Sequence, residues 1–116
     1  MPYSEFLADR IRMQLRDKQV SFEEKKMMGG LCFMVNDKMC VGVDKENLMA
    51  RIGPEAYPDA LEKKGCSEMD LTGKPLKGFV FIDAEGVDTD KELAYWIQLC
   101  IEFNPRAKAS KKTKKP

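Results

Sequence analysis

The feature that most constrains the fold is a run of five consecutive apolar residues, positions 31–35, followed at once by Asn36-Asp37 and a second apolar-rich run, positions 38–43. Two such runs separated by a two-residue loop predict a β-hairpin. In that hairpin Val35 pairs with Lys38 and Phe33 with Cys40, which places Cys32 and Cys40 on opposite faces. Because successive side chains of a strand point to opposite faces, an all-apolar strand needs cover on both faces of its sheet.

The rest of the chain alternates between helical and extended patterns. A helix is predicted from Ser4 to about Lys18, because its apolar residues form one stripe: Leu7, Ala8, Ile11 and Leu15. The capping-box spacing of Ser21 and Glu24 predicts a short helical turn through position 26. Further elements are predicted as a strand at 48–53, a helix at 55–64, a short edge strand at 66–71, a strand at 78–83 and a helix from Asp88 or Thr89 to about Phe103.

The last predicted helix is apolar over more than half of its circumference, which is wider than the stripe of a surface helix. Two explanations are open: the domain's own elements enclose this helix, or part of its face meets another chain. The methionines of the first three strands leave a similar choice between core filling and an adaptable binding surface. The candidate interface residues are Tyr95, Trp96, Leu99, Phe103 and Met34.

Charge is distributed unevenly along the chain. The whole chain has 20 basic and 19 acidic residues, and six of the basic ones follow position 104 with no acidic residue among them: Arg106, Lys108, Lys111, Lys112, Lys114 and Lys115. The net charge of residues 1–104 is therefore 14 − 19 = −5. We predict one domain at 1–104 and an unstructured lysine-rich tail at 105–116, which has no large apolar side chain to bury. Three roles of the tail stay open: a solubilising extension, a nucleic-acid contact, or a contact with an acidic protein.

The sequence contains no histidine. That removes the commonest general base, the usual serine and cysteine triads and the most frequent transition-metal ligand. The four cysteines form no Cys-x-x-Cys pair, so free thiols are expected rather than zinc ligands or disulfides. The carboxylates between Asp83 and Asp90 lack the spacing of a calcium loop, and helix capping explains them. We therefore expect no enzyme activity, no catalytic residue, no metal and no cofactor.

One charge on the predicted sheet is a candidate for ligand binding. Strand 48–53 has three apolar residues on one face, which leaves Arg51 on the other. Arg51 could then lie beside Lys77 and near the turn at Gly29 and Gly30, forming a small site for an anion or carboxylate. The alternative is an exposed or locally paired arginine.

The apolar runs are too short for a membrane span, and the first residues lack the pattern of a signal peptide. We expect a cytoplasmic protein without membrane contact.

Three strings of residues resemble one family. They are KMMGGLCFM at 26–34 followed by Asn36 and Met39-Cys40, LMARIGPE at 48–55, and TGKPLKGFV at 72–80. In this order and at these separations, over roughly residues 5–104, they resemble the TfoX N-terminal domain family. The resemblance implies an α+β two-layer sandwich in the order α-β-β-β-α-β-β-α, with a mainly antiparallel five-stranded sheet and helices on one face. The competence regulators that give the family its name carry a second domain, where this chain has its lysine tail, and act as co-regulators beside the cyclic-AMP receptor protein.

The residues and the resemblance together predict a non-catalytic protein-interaction or regulatory domain, with transcriptional co-regulation as the role that the resemblance implies. Its expected partners are an unidentified protein and a second copy of the chain, held through the last helix or the methionine-rich sheet face. Two alternatives stay open: weak nucleic-acid association through the tail, and a small anionic ligand near Arg51 and Lys77.

Overall fold

The structure is a computed structural model that describes residues 3–27, 30–69 and 78–107. Its elements in these ranges are the helices α1 (Glu5–Asp17), α2 (Tyr57–Ala60) and α3 (Asp90–Phe103), and the strands β1 (Glu23–Met27), β2 (Gly30–Val35), β3 (Lys38–Asp44), β4 (Asn47–Arg51), β5 (Cys66–Glu68) and β6 (Phe79–Ile82). Two short 3₁₀ turns, Ala84–Val87 and Asn104–Arg106, lie on either side of α3.

The strands form one sheet in the order β1-β2-β3-β4-β6-β5, and every neighbouring pair is antiparallel. The helices lie on one face, where α1 and α3 enclose the main core against the inward side chains of the central strands. The predicted α+β sandwich is therefore confirmed. The sheet has six strands where the sequence predicted five.

The additional strand is β1, and it replaces the helical turn predicted at 21–26, which is wrong. Glu24 does not close a capping box but accepts two hydrogen bonds from the Arg12 guanidinium of α1, at 2.7 and 2.9 Å. Phe22 packs edge-on against Phe33, with ring centroids 5.5 Å apart. These contacts and pairing with β2 form a strand whose sequence, Glu-Glu-Lys-Lys-Met, has no apolar alternation.

The predicted β2–β3 hairpin is present, with one change of register. Val35 pairs with Lys38 as predicted, but Phe33 pairs with Val41 because a β-bulge adds one residue to β3 at Cys40. The bulge turns both Cys40 and Val41 toward the helices, while Cys32 faces the other side of the sheet. The two cysteines therefore lie on opposite faces, as expected.

The helices α1 and α3 begin at residues whose side chains cap their N-termini. Ser4 caps α1 by accepting a hydrogen bond from the Leu7 amide at 3.1 Å, and Thr89 caps α3 in a full capping box with Glu92. The helix predicted at 55–64 is wrong in length, since only Tyr57–Ala60 is α-helical. After Ala60 the chain continues in tighter turns, in which the Glu62 and Lys63 amides donate to the carbonyls three residues earlier. The edge strand predicted at 66–71 is described for three residues, Cys66–Glu68.

The sheet face away from the helices holds a second, smaller core. It consists of buried side chains that are at most 5% exposed: Cys32, Met34, Met39, Met49 and Met69. These methionines fill a core, so the core-filling interpretation is the correct one for them.

The folded part extends past the predicted domain end at 104. Arg106 pairs with Glu55 at 3.0 Å, and Ala107 is only 8% exposed. The predicted unstructured tail is thus wrong for 105–107, and its remainder, 108–116, lies outside the described residues. No helix in the described part of the chain is long and apolar enough to cross a membrane.

Candidate functional site

The sheet separates Arg51 from Gly30, two residues of the predicted anion site. Gly30 lies against the end of β3 at Val43 and Asp44, whereas Arg51 lies at the opposite end of β4, beyond the Val41–Ala50 pair. Four residues along a strand and two strand spacings separate the two positions by roughly 15 Å. The prediction that Arg51 lies near Gly30 is therefore wrong. Gly29 and Lys77 themselves lie outside the described residues.

Arg51 has local contacts instead. It lies on the sheet face away from the helices, as its position in the strand predicted, and opposite Phe79 of β6. Its guanidinium carbon is 5.1 Å from the centre of the Phe79 ring, a cation–π geometry. Burial lowers the pKa of Arg51. The alternative of a locally paired arginine accounts for these contacts.

Burial divides the predicted interface residues. Trp96 is 2% and Met34 5% exposed, so both belong to the chain's own cores. Leu99 and Phe103 are half-buried, and Tyr95 is the exposed member. The wide apolar face of α3 is thus mostly enclosed by the domain itself.

Among the described residues, the most exposed large apolar side chains lie on a different helix. Phe6 is 75% and Met13 62% exposed, and both lie two turns apart on the outer side of α1, facing away from the core. We call this pair the α1 stripe. The sequence analysis did not identify this pair, because it considered only the apolar residues on the core-facing side of the helix. The signal was present, since two large apolar residues seven positions apart on the polar side of an amphipathic helix have no partner in their own core.

Polar contacts fix α1, and with it the stripe, to α3. Arg10 lies over the Phe6 ring, 5.8 Å from its centre, and its guanidinium pairs with the Asp90 carboxylate at 3.3 Å. Gln14 donates to the Asp90 backbone carbonyl at 3.2 Å. The stripe is therefore presented on a positioned helix and not on a loop.

A groove of about 300 Å³ lies along the other side of α3. We call it the α3 groove; it is lined by Lys63, Lys64, Gly86, Lys91, Glu92, Tyr95 and Trp96. Its outer wall is the turn between α2 and β5. That turn lies close to the 3₁₀ turn Ala84–Val87. A Cβ atom added to Gly86 would be only 2.6 Å from the Lys64 carbonyl oxygen. Asp83 holds the same 3₁₀ turn by accepting hydrogen bonds from the Glu85 and Gly86 amides at 3.1 and 3.2 Å.

The charges of the α3 groove are partly compensated. Lys64 pairs with Glu92 at 3.4 Å, and the pKa of Glu92 is lowered first by the Thr89 backbone amide and then by Lys64. The Lys63 ammonium lies 5.0 Å from the centre of the Tyr95 ring, and Lys91 is exposed in the first turn of α3. The groove therefore combines two aromatic rings with a net charge of +2. Sequence reasoning missed it because its walls come from three separate segments.

The remaining predicted residues are in the tail or are cysteines. Arg106 pairs with Glu55, while the tail lysines 108, 111, 112, 114 and 115 lie outside the described residues. The four cysteines are free thiols. Cys100 lies in contact with Cys40, and its pKa is raised by burial and by that thiol. Within 3–27, 30–69 and 78–107, no three His, Cys, Asp or Glu side chains are grouped as a metal site would need.

Comparison with known protein families gives a match to the TfoX N-terminal domain over residues 14–104. Neither the curated proteins nor the solved structures contain a match to this chain. The matched range runs from the last turn of α1 to the end of α3, so it includes every strand of the described sheet. The chain therefore belongs to the TfoX N-terminal domain family.

Proposed function

We propose that this chain is a non-catalytic interaction domain with a regulatory role, and that it works as a homodimer joined through the α1 stripe. The observation that carries the proposal is the exposure of Phe6 and Met13 on the outer side of a fixed helix. Two large apolar side chains held in water on one helix face are typical of a protein contact.

The order of residues on this helix favours a second copy as the partner. If two α1 helices pack antiparallel about a twofold axis centred between Asp9 and Arg10, Phe6 of one copy meets Met13 of the other. An interface around a twofold axis must be self-complementary, and the two apolar positions of this stretch meet that condition.

The contact is expected to be weak. One phenylalanine and one methionine from each copy bury, together with their neighbours, an area at the low end of specific interfaces, below roughly 1,200 Å². Such an area suits a reversible association, which is what a regulatory domain needs.

The other parts of the proposal have separate support. The non-catalytic part is supported by the sequence, which has no histidine. The regulatory part, including transcriptional co-regulation, is supported by the family, whose name comes from competence regulators. The change from α3 to α1 as the contact surface is supported by the burial of Trp96 and Met34.

Sedimentation velocity over a range of protein concentrations tests the dimer. We expect the wild type to change from monomer to dimer as concentration rises, and Phe6→Ser or Met13→Ser to shift the change to concentrations at least about tenfold higher, because each loses a buried apolar side chain worth roughly 1.5–3 kcal/mol. Since both residues are exposed, neither variant should lower the unfolding midpoint at concentrations where the wild type is monomeric.

The matched control is Tyr95→Ser, which removes the exposed aromatic residue of α3. It should leave the association unchanged. A wild type that stays monomeric at all concentrations, or a dimer weakened by Tyr95→Ser and not by Phe6→Ser, would contradict the α1 contact.

A second candidate function is electrostatic association of the tail with nucleic acid, favoured by the separation of an acidic body from a basic tail. The cut that tests it is after Ala107, because Arg106 and Ala107 belong to the folded body. Five lysines follow that point, so the logarithm of the binding constant for duplex DNA should fall with the logarithm of salt concentration with a slope no steeper than about −4.5. Binding that survives the cut, or is insensitive to salt, would argue against the tail.

A further inference from the structure

We infer that the α3 groove binds a small organic anion with a planar aromatic body, such as an aromatic phosphate or carboxylate. This goes beyond the proposed function and does not depend on it, since the groove and the α1 stripe share no residue.

The shape of the groove fits a small molecule. Its volume of about 300 Å³ is at the lower end of ligand pockets, which cover roughly 300–1,000 Å³. Two aromatic rings, Tyr95 and Trp96, line it, and their centroids are 5.2 Å apart at an interplanar angle of 76°. A planar ring placed in the groove would contact mainly Tyr95, because Trp96 is only 2% exposed.

The charge of the groove selects an anion. Lys64 is already paired with Glu92, which leaves Lys63 and Lys91 as the other two cations that line the groove. The Lys63 ammonium lies over the Tyr95 ring and not against a carboxylate in the groove. A phosphate or carboxylate attached to the bound ring would pair with a lysine of this lining, and charge-assisted contacts of this kind are stronger than neutral hydrogen bonds.

The groove is also positioned before any ligand arrives. The lysine-bearing turn is tied to the sheet by the Asp83 amide, which donates to the Gly65 carbonyl at 2.9 Å, and by the close approach of Lys64 to Gly86. The other wall is the first two turns of α3, fixed by the Thr89 capping box. A positioned site loses less conformational entropy on binding than one that must be ordered by its ligand.

Phenyl phosphate is the probe for the test, and Trp96 is the reporter, because it is the one tryptophan of the chain and lines the groove. We expect addition of phenyl phosphate to the full-length protein to change the tryptophan emission saturably. Benzyl alcohol, which has the ring without the charge, and inorganic phosphate, which has the charge without the ring, should each bind at least about tenfold more weakly.

Charge variants locate the site. Lys63→Gln and Lys91→Gln should each weaken phenyl phosphate binding roughly two- to fivefold, as expected for one exposed ionic contact. Lys25→Gln, the same change on the exposed strand β1, should have no effect. All three positions are exposed, so the folded state should be kept, and far-UV circular dichroism checks this.

Amide shifts in a ¹⁵N-correlated NMR titration of the wild type give an independent readout. They should concentrate at Gly86, Lys91 and Tyr95. The inference is overturned if the emission change does not saturate, if benzyl alcohol or inorganic phosphate binds as well as phenyl phosphate, if Lys25→Gln weakens binding as much as Lys63→Gln, or if the shifts fall elsewhere in the chain.

Discussion

The side-chain amide of Asn104 donates a hydrogen bond to the backbone carbonyl of Val35 across 3.1 Å, and this contact ties the end of α3 to the β2–β3 hairpin. Two further bonds converge on the same residue. Asn36 donates to the Asn104 side-chain oxygen at 3.0 Å, and the Lys38 ammonium donates to its backbone carbonyl at 2.9 Å. Since Asn104 is only 3% exposed, water does not readily replace these partners.

We expect Asn104→Ala to lower the free energy of unfolding by about 1–3 kcal/mol, because it removes both the donor to the buried Val35 carbonyl and the acceptor of the Asn36 side chain. Urea unfolding followed by circular dichroism measures the change. Gln98→Ala is the control, since Gln98 bonds to Lys18 and Glu102 on the exposed side of α3 and should cost less than about 0.5 kcal/mol. Equal losses in the two variants would show that the Asn104 contacts do not join α3 to the hairpin.

Acid should weaken the contact between α1 and β1. The hydrogen bonds from Arg12 hold the pKa of Glu24 below its ordinary value of 4.5. A carboxyl group with a lowered pKa in the folded state stabilises that state above its unfolded pKa, and the stabilisation is lost as the pH falls through its folded value. The contribution should thus be complete above about pH 5 and decline below about pH 4.5, by no more than about 1 kcal/mol for so exposed a pair.

The test compares urea unfolding of the wild type and Glu24→Gln as a function of pH. The difference in stability between them should be present at pH 7 and shrink toward pH 3. Glu23→Gln is a neighbouring control on the same strand, where the side chain is exposed. A difference that stays constant with pH would mean that the Glu24 charge does not stabilise the fold.

The thiols should react in an order set by burial. Burial raises the pKa of Cys66 to about 11 and that of Cys32 to about 11, and it also raises the pKa of Cys100. Because the thiolate is the reactive form, all three should react with iodoacetamide far more slowly at pH 7 than an unperturbed cysteine.

Cys66 is half-buried and the other three thiols are buried, so Cys66 should be labelled first and the others only after unfolding. Labelling of Cys66 should become faster as the pH rises toward 11. Mass spectrometry of peptides after timed labelling, with and without urea, gives the order. Early labelling of Cys40 or Cys100 in the native protein would contradict their position between β3 and α3.

The sequence was sufficient where a local pattern and the tertiary contacts agree. The hairpin at Asn36-Asp37, the α1 cap at Ser4 and the α3 cap at Thr89 each have a mechanism within a few residues. The sequence was insufficient for β1, because a strand of charged residues exists only through pairing with β2 and the bond from Arg12. The bulge at Cys40 likewise has no local signal.

The candidate sites could be predicted less well, because they depend on register and burial. Strand alternation was enough to predict the face of the sheet on which Arg51 lies. Its distance from Gly30 depends on the pairing of three strands. Trp96 was proposed for an interface because its helix is apolar over more than half of its circumference, yet the core of this domain is large enough to enclose it. Lys63 and Lys64 of the α3 groove are far from Tyr95 in the sequence, whereas Lys91 precedes it by one turn on the same helix. Only the fold brings these residues together.

The end of α3 also packs on a backbone position that requires glycine. Gly53 has φ 90°, in the region that favours glycine, and a Cβ there would overlap the Phe103 ring. Gly53→Ala should therefore destabilise the protein by about 1–2 kcal/mol for the backbone conformation alone, with the steric overlap in addition.

The two causes can be separated with Phe103→Ala as a second background. There the ring is absent, so Gly53→Ala should cost only the backbone part, and the cost should fall measurably below that in the wild type. Urea unfolding of the four proteins in the cycle gives the coupling between the two positions. If Gly53→Ala costs the same in both backgrounds, Phe103 does not pack on Gly53, and the end of α3 is held to the sheet by the Asn104 contacts without this ring.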